Sequence, residues 1–224
     1  MTIEELMEKY KNVDQVDAWE TINLLYTSAI REIETKIKIL NDDFQHAHRY
    51  NPIEHIKTRV KTAEGIVQKL KRYNEEPTIE NAVKHIKDIA GIRIICSFSS
   101  DIYRLAEIIG NQSDITIISI KDYIKEPKES GYKSYHMIIT VPIFLSEGVV
   151  DTPVEVQIRT IAMDFWASLE HKLNYKLRGE APDYIKKDLK QAAKMVSELD
   201  DKMMNLNTSI VELMNGDISS LDSK

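Results

Sequence analysis

Apolar residues divide this chain into three stretches of different period. From Ala18 to Leu40, the residues Ile22, Leu25, Tyr26, Ala29, Ile33, Ile37 and Leu40 recur at steps of three and four, the spacing of one apolar helix face. Asn51-Pro52 breaks this pattern and leads into a short extended piece. A second helix is expected from about Thr62 to Tyr73, ended by Glu75-Glu76-Pro77. The period then shortens. GIRIICSF (91–98) is a β-branched run that reads as a buried strand, followed by a helix from Ser99 to Gly110 and a second strand at 114–120. A polar loop at 125–134 separates these from strands at 134–141 and 153–159, which are joined through a turn at Ser146-Glu147-Gly148. Helix returns at about 161–176 and again from Pro182 onward. In that last helix Ile185, Leu189, Ala192, Val196, Leu199, Met203, Leu206, Ile210 and Leu213 step by 4, 3, 4, 3, a heptad seam. The order helix, mixed sheet, helix, with no linker-like stretch, predicts one α+β domain over residues 1–214, with a polar, disordered tail over 215–224.

Composition narrows the class. The chain has 224 residues, 42% hydrophobic, with only 7 glycines and 6 prolines, which favours long regular elements around a real core. Its single cysteine, Cys96, excludes an intramolecular disulfide framework and a multi-cysteine zinc module. The charged start MTIEELMEKY lacks a secretory apolar core, and no run approaches the length of a membrane span. A cytoplasmic protein without a membrane anchor is expected. The net charge of −6 disfavours DNA or RNA as a partner, so a polyanionic ligand must be met by a local basic pocket.

The candidate chemistry lies in charges on elements that ought to be buried. Along Val154–Arg159 the side chains alternate, putting Glu155, Gln157 and Arg159 on one face. A solvated outer face would look the same, but the neighbouring strands are apolar enough to favour the floor of a cleft. Arg93 interrupts an apolar strand, and Asp88 precedes it. Two carboxylates on adjacent strand ends, Asp88 and Glu155, can hold Mg²⁺, which keeps water and phosphate in its shell. Lys61, Gly65, Lys69 and Arg72 follow at steps of 4, 4 and 3, a basic stripe able to carry a triphosphate, with Arg59 just before it. Arg59 and Arg93 offer planar guanidinium groups for a purine ring. In the loop KESGYKSYH, Tyr135 is read as packing, Tyr132 as an aromatic free to stack on a base, and His136 as a phosphate donor. His46 and His48 are read as surface residues. No P-loop, kinase glycine loop or H-E-x-x-H motif occurs.

Four segments, RVK with its basic helix (59–72), KDIAGIRIICSF (87–98), KDYI with PKESGYKSYH (121–136) and VEVQIRTIAMDFWASLEHKLNYK (154–176), occur together and in order. In these the chain resembles the small alarmone synthetases, compact relatives of the RelA/SpoT-type (p)ppGpp synthetases. The resemblance implies a nucleotidyltransferase-like mixed sheet flanked by helices. It implies transfer of the β,γ-pyrophosphate of ATP to the 3′-OH of GDP or GTP, giving ppGpp or pppGpp and AMP. It assigns Asp88 and Glu155 to Mg²⁺, with Glu155 also assisting deprotonation of the 3′-OH. Arg59 and Arg93 would clamp adenine, while Lys61, Lys69 and Arg72 would hold the ATP phosphates. Tyr132 would stack on guanine, with Lys128, His136 and Gln157 serving the acceptor nucleotide. No hydrolase activity is expected. The seam from Ile185 to Leu213 would run about 43 Å at 1.5 Å per residue, against a radius of gyration of about 17 Å for a chain of this length. Its stripe and that of Ala18–Leu40 are therefore expected to overhang the domain and mark a partner surface. The resemblance sets the number, a homotetramer built through the terminal helices. Two other readings stay open: a toxin-like relative that pyrophosphorylates the tRNA 3′ end, and a catalytically dead nucleotide-binding scaffold.

Overall fold

The computed structural model describes residues 1–9, 15–47, 50–177 and 181–221. Twelve elements follow one another among them: α1 (Ile3–Lys9), α2 (Gln15–Ala47), β1 (Ile53–Val60), α3 (Ala63–Arg72), α4 (Ile79–His85), β2 (Ala90–Cys96), α5 (Ser99–Gly110), β3 (Thr116–Asp122), β4 (Tyr135–Leu145), β5 (Gly148–Thr160), α6 (Ile161–Leu177) and α7 (Asp183–Leu221). The strands form one sheet in the order β1-β2-β5-β4-β3. Only β2 and β5 run parallel, and the other three pairs are antiparallel. This is the expected mixed sheet with flanking helices. No helix among the described residues is long and apolar enough to cross a membrane.

The sheet has two unlike faces. On one, Ile92, Ile94, Met137, Ile139, Val156 and Ile158 are buried and α2 lies across them through Ile22, Leu25, Ala29, Ile33 and Ile37. That face holds the core. On the other, register places Lys57 beside Arg93, Arg93 beside Gln157, and Gln157 beside His136. One step along, Arg59, Gly91 and Glu155 form a second row. Because side chains alternate, these residues share a face.

Local chemistry fixes the element ends. Thr62 and Thr78 cap α3 and α4 by accepting the amides of Gly65 and Asn81, each at 3.2 Å. Asp101 accepts the Phe98 amide at the start of α5. The strand predicted at 134–141 continues through Pro142 to Leu145. Proline is tolerated there because β3 pairs only as far as Thr140, leaving Pro142 without a neighbour on that side. Pro153 of β5 likewise precedes the β2 pairing, which begins at Glu155.

Three expectations change. The apolar stripe of α2 was expected to overhang its own domain, but Ile22, Leu25, Tyr26, Ala29, Ile33 and Ile37 are all buried within it. The tail expected from Asn215 is in part continued helix, since α7 reaches Leu221; residues 222–224 lie outside those described. The seam of α7 splits. Leu189, Ala192 and Val196 pack against Trp166, Ala167 and Ala193. Leu199, Met203, Leu206, Ile210 and Leu213 remain 50–71% exposed. His46 is exposed as expected, and His48 lies outside the described residues.

Candidate active site

A cavity of about 640 Å³ opens over the polar face, within the roughly 300–1,000 Å³ range of small-molecule sites. Its walls include Asp88 and Glu155, with Arg59 and Lys69 to one side and Lys128, Tyr132, His136 and Gln157 to the other. These residues, from three strands, a helix, a turn and a loop, thus meet where the sequence reading placed the chemistry.

Asp88 comes from the turn before β2. Lys69 Nζ donates to its Oδ1 at 2.7 Å and Lys61 Nζ lies 3.4 Å from Oδ2. Burial opposes ionisation, but these two ammonium groups outweigh it and hold the carboxyl below its ordinary value. Lys61 is outside the lining of the large cavity, and burial lowers its own pKa. Arg72 is not brought in. It is the last residue of α3, its side chain is exposed, and it does not line the cavity.

Glu155 sits mid-strand on β5 with 13% of its side chain exposed. Gln157 Nε2 donates to its Oε2 at 2.8 Å, and His136 Nδ1 faces its Oε1 at 3.2 Å. These partners keep the carboxyl below its ordinary value despite burial and the nearby charge of Asp88. The direction of the bonds can be assigned. Arg159 Nη2 donates to the Tyr132 hydroxyl, which directs its own proton to His136 Nε2 at 2.9 Å. His136 then carries its proton on Nδ1 and donates to Glu155. Gln157 is fixed as well, because its Oε1 accepts from Arg93 Nε at 3.2 Å and Arg159 Nη2 at 3.1 Å.

Arg59 and Arg93 stand on adjacent strands of the same face. Gly91 lies opposite Arg59, where an added Cβ would lie 3.7 Å from the Arg59 side chain. Arg59 lines the cavity. Arg93 does not; its guanidinium is turned to Gln157 and to Asp164 Oδ1 at 3.0 Å.

Tyr132 is not the unpacked loop aromatic that the sequence suggested. It is half-buried against Trp166, Ala167 and Ala193, a small second core formed where α7 returns past the loop. Its ring still lines the cavity, and Lys128 Nζ lies 4.7 Å from its centroid and 4.8 Å from that of Tyr123. Tyr123 meets His136 edge-on, with centroids 5.2 Å apart. Sequence reasoning passed over Tyr123, although it stands in the KDYI segment. It also missed Asp164, which accepts from Lys57, Arg93 and Arg159. Tyr135 packs on the core side against Tyr103, as expected.

Among the described residues, no cluster of three or more His, Cys, Asp or Glu side chains has the arrangement of a metal cage. Two ionised carboxylates on one cavity wall nevertheless suit a cation that takes one or two protein oxygens and completes its shell with water and phosphate.

The chain is 44% identical to the GTP pyrophosphokinase YwaC of Bacillus subtilis over 204 residues, 91% of this chain and 96% of that one. The crystal structure of small alarmone synthetase 2 from the same organism superposes with a TM-score of 0.78 at 44% identity, covering 85% of this chain and 98% of that one. Small alarmone synthetase 1 of Bacillus subtilis, bound to its product pppGpp, gives a TM-score of 0.82 at 35% identity, covering 87% and 99%. The region found in RelA and SpoT proteins matches residues 58–180, from the end of β1 through α6, and contains every residue that lines the cavity. With that match and these relatives, the chain belongs to the RelA/SpoT family.

Proposed function

We propose that this chain is a GTP pyrophosphokinase that moves the β,γ-pyrophosphate of ATP to the 3′-OH of GDP or GTP, yielding AMP and ppGpp or pppGpp. The observation that carries the reading is the layout of the cavity: two ionised carboxylates on its wall, Arg59 and Lys69 to one side, Tyr132, Tyr123 and Lys128 to the other. Two relatives that align along most of the chain are named GTP pyrophosphokinases, and one structural neighbour holds pppGpp.

The chemistry requires alignment and charge stabilisation more than covalent help. Asp88 and Glu155 would hold Mg²⁺, which when bound offsets charge on the transferring phosphates. Lys69 and Lys61 pair with Asp88 in the free protein, so both ammonium groups are in place to turn to ATP phosphates. Arg59 would face adenine, joined by Arg93. Tyr132 would stack on guanine, and Lys128 and Gln157 would hold the acceptor. Glu155 would take the 3′-OH proton, with His136 Nδ1–H keeping its carboxylate oriented.

The rest of the reading is one synthetase domain over residues 1–214, acting in the cytoplasm where both nucleotides are present, as a homotetramer. What supports assembly is a pair of exposed apolar stripes: Ile161, Phe165, Leu169, Leu173 and Leu177 on α6, and the outer half of the α7 seam. The test is incubation with ATP labelled at the γ-phosphate plus GDP, GTP or tRNA, followed by ion-exchange chromatography. Label in ppGpp or pppGpp with release of AMP is expected. Release of ADP, label in tRNA, or no transfer each overturns the proposal.

A further inference from the structure

The side chains of the two nucleotide subsites are tied together beneath the cavity by one carboxylate that does not line it. β5 runs into α6 without a loop, Thr160 being the last strand residue and Ile161 the first helical one. Thr160 Oγ1 accepts the Met163 amide at 3.1 Å and donates to Asp200 at 2.7 Å, which fixes the junction. This sharp turn brings Asp164, in the first turn of α6, back over Arg159. Asp164 is buried, and three cations converge on it. Its Oδ1 accepts from Arg93 Nη1 at 3.0 Å and Arg159 Nη1 at 3.2 Å, and its Oδ2 from Lys57 at 3.0 Å. The side chain of Arg159 is only 5% exposed. Beyond Asp164 it donates to the Tyr132 hydroxyl, Gln157 Oε1 and Ser134 Oγ.

We propose that Asp164 is a positioning residue that sets both nucleotide subsites at once. On the ATP side it acts through Arg93. On the acceptor side it acts through Arg159 on Tyr132 and Gln157. The inference rests on the subsite assignment proposed above. Without the carboxylate, three cations face one another with no anion among them, and Arg159 is too buried to be solvated. Arg93 and Arg159 must then separate, and each draws a substrate-binding group with it. A residue needed only for folding would reduce the active fraction, lowering kcat and leaving both KM values alone.

Steady-state kinetics on the full-length chain tests this. Wild type is assayed first; failure to form product would refute the proposed function, and calorimetric binding of a non-hydrolysable ATP analogue and of GDP would then still report on Asp164. For Asp164→Asn, KM for ATP and KM for GDP should each rise about tenfold, the loss of one charge-assisted hydrogen bond per side, with a smaller fall in kcat because Arg159 also reaches Glu155 through Tyr132 and Gln157. A change in kcat alone, or in only one KM, overturns the inference. Tyr132→Phe keeps the ring and removes the hydroxyl that Arg159 grips, so it also serves if Asp164→Asn melts below the assay temperature. It should raise KM for GDP about threefold, as for one neutral acceptor lost, and leave KM for ATP unchanged. An unchanged KM for GDP overturns the acceptor arm.

Discussion

Replacing Glu155 by Gln changes one oxygen for one NH₂, and the surroundings of Glu155 show why that exchange is not neutral. Two donors converge on the carboxylate, Gln157 Nε2 at 2.8 Å and His136 Nδ1 at 3.2 Å. Gln157 cannot rotate its amide to accommodate a new donor, because Arg93 and Arg159 both occupy its Oε1. His136 cannot invert its tautomer without losing the proton of Tyr132 on Nε2. A glutamine at 155 offers a single acceptor oxygen to two fixed donors, so one contact becomes donor against donor. That costs roughly 1–3 kcal/mol of local stability. The chemical loss is larger. Glu155 is held ionised, and the amide can neither take a proton nor help hold a divalent cation. A general base is worth about 10²–10⁴ in rate, or about 3–5 kcal/mol of transition-state stabilisation. Single-turnover formation of AMP and ppGpp, resolved by ion-exchange chromatography, should therefore fall at least about a hundredfold. Affinity for GDP, read by calorimetry, should stay within about fivefold, since Tyr132 and Lys128 remain. Retention of more than about a tenth of wild-type turnover, against that expected loss, would refute the role given to Glu155.

Tyr132→Ala should raise KM for GDP or GTP by the equivalent of about 1–3 kcal/mol, as for stacked bases elsewhere, and leave KM for ATP nearly unchanged; an equal effect on both assigns the loop wrongly. Gly131→Ala should lift the same loop. Gly131 has φ of +90°, and an added Cβ would fall 2.5 Å from Ala193 Cβ on α7, so a lowered Tm and a raised KM for GDP are expected, and a stable variant with normal KM counts against the contact. Acidification should destabilise the fold. Asp88, Glu155 and Asp164 all titrate below their ordinary values, so their contribution is complete above about pH 5 and is lost as pH falls through the lowered values. Asp101 and Asp200, whose carboxyls are raised by burial, oppose this, but they are two groups against three. Melting curves between pH 7 and 3 that show increasing Tm on acidification would contradict the balance. Light scattering on wild type and on Leu199→Glu/Met203→Glu tests assembly: a tetramer that dissociates is expected, a monomeric wild type rejects it, and an unchanged variant moves the contact off α7.

Strand periodicity made the polar floor legible, because Glu155, Gln157 and Arg159 alternate with valine and isoleucine whatever the partner strands do. Asp88 and Arg93 were legible for a related reason, as charges next to or inside an apolar strand. Asp164 was not, since its proximity to Arg159 and Arg93 depends on how sharply β5 turns into α6, and helix and strand periods say nothing about that junction. Tyr132 was misread for want of its cover. The loop looked unpacked along the chain, but α7 returns some sixty residues later to place Ala193 against it. The α2 stripe illustrates the opposite error. At 1.5 Å per residue its 33 residues span about 50 Å, more than a five-stranded sheet covers. The helix is covered because neighbouring elements extend the surface. Ile66 and Ile89 belong to the same core cluster as Ile22 and Tyr26 of its N-terminal half, with Val60 packed against that cluster, and Arg104 lies 5.3 Å from the ring of Phe44 near its end. Arg72 fails for a purely geometric reason. It is the last residue of α3, about 4.5 Å further along the axis than Lys69, and its side chain is exposed beyond the cavity wall that Lys69 reaches.

A chain of net charge −6 that binds two polyphosphates must keep cations in one place without leaving them bare. The pairing on the polar face accomplishes this. Asp88 holds Lys61 and Lys69, Asp164 holds Lys57, Arg93 and Arg159, and Glu155 is turned to His136. Asp88 and Asp164 are each matched by more positive groups than one carboxylate can neutralise, so these clusters leave a positive surplus on the polar face. Burying a lone lysine would lower its affinity for a proton, and Lys61 already shows that tendency. With Asp88 beside it the ammonium survives partial burial, and under the proposed assignment an arriving phosphate would exchange one anionic partner for another in place of stripping water from an isolated charge. The same exchange would release Asp88 as its lysines depart, leaving the carboxylate available for a cation when a phosphate is there to share it. Cation and triphosphate binding would then be coupled through two lysines on one aspartate.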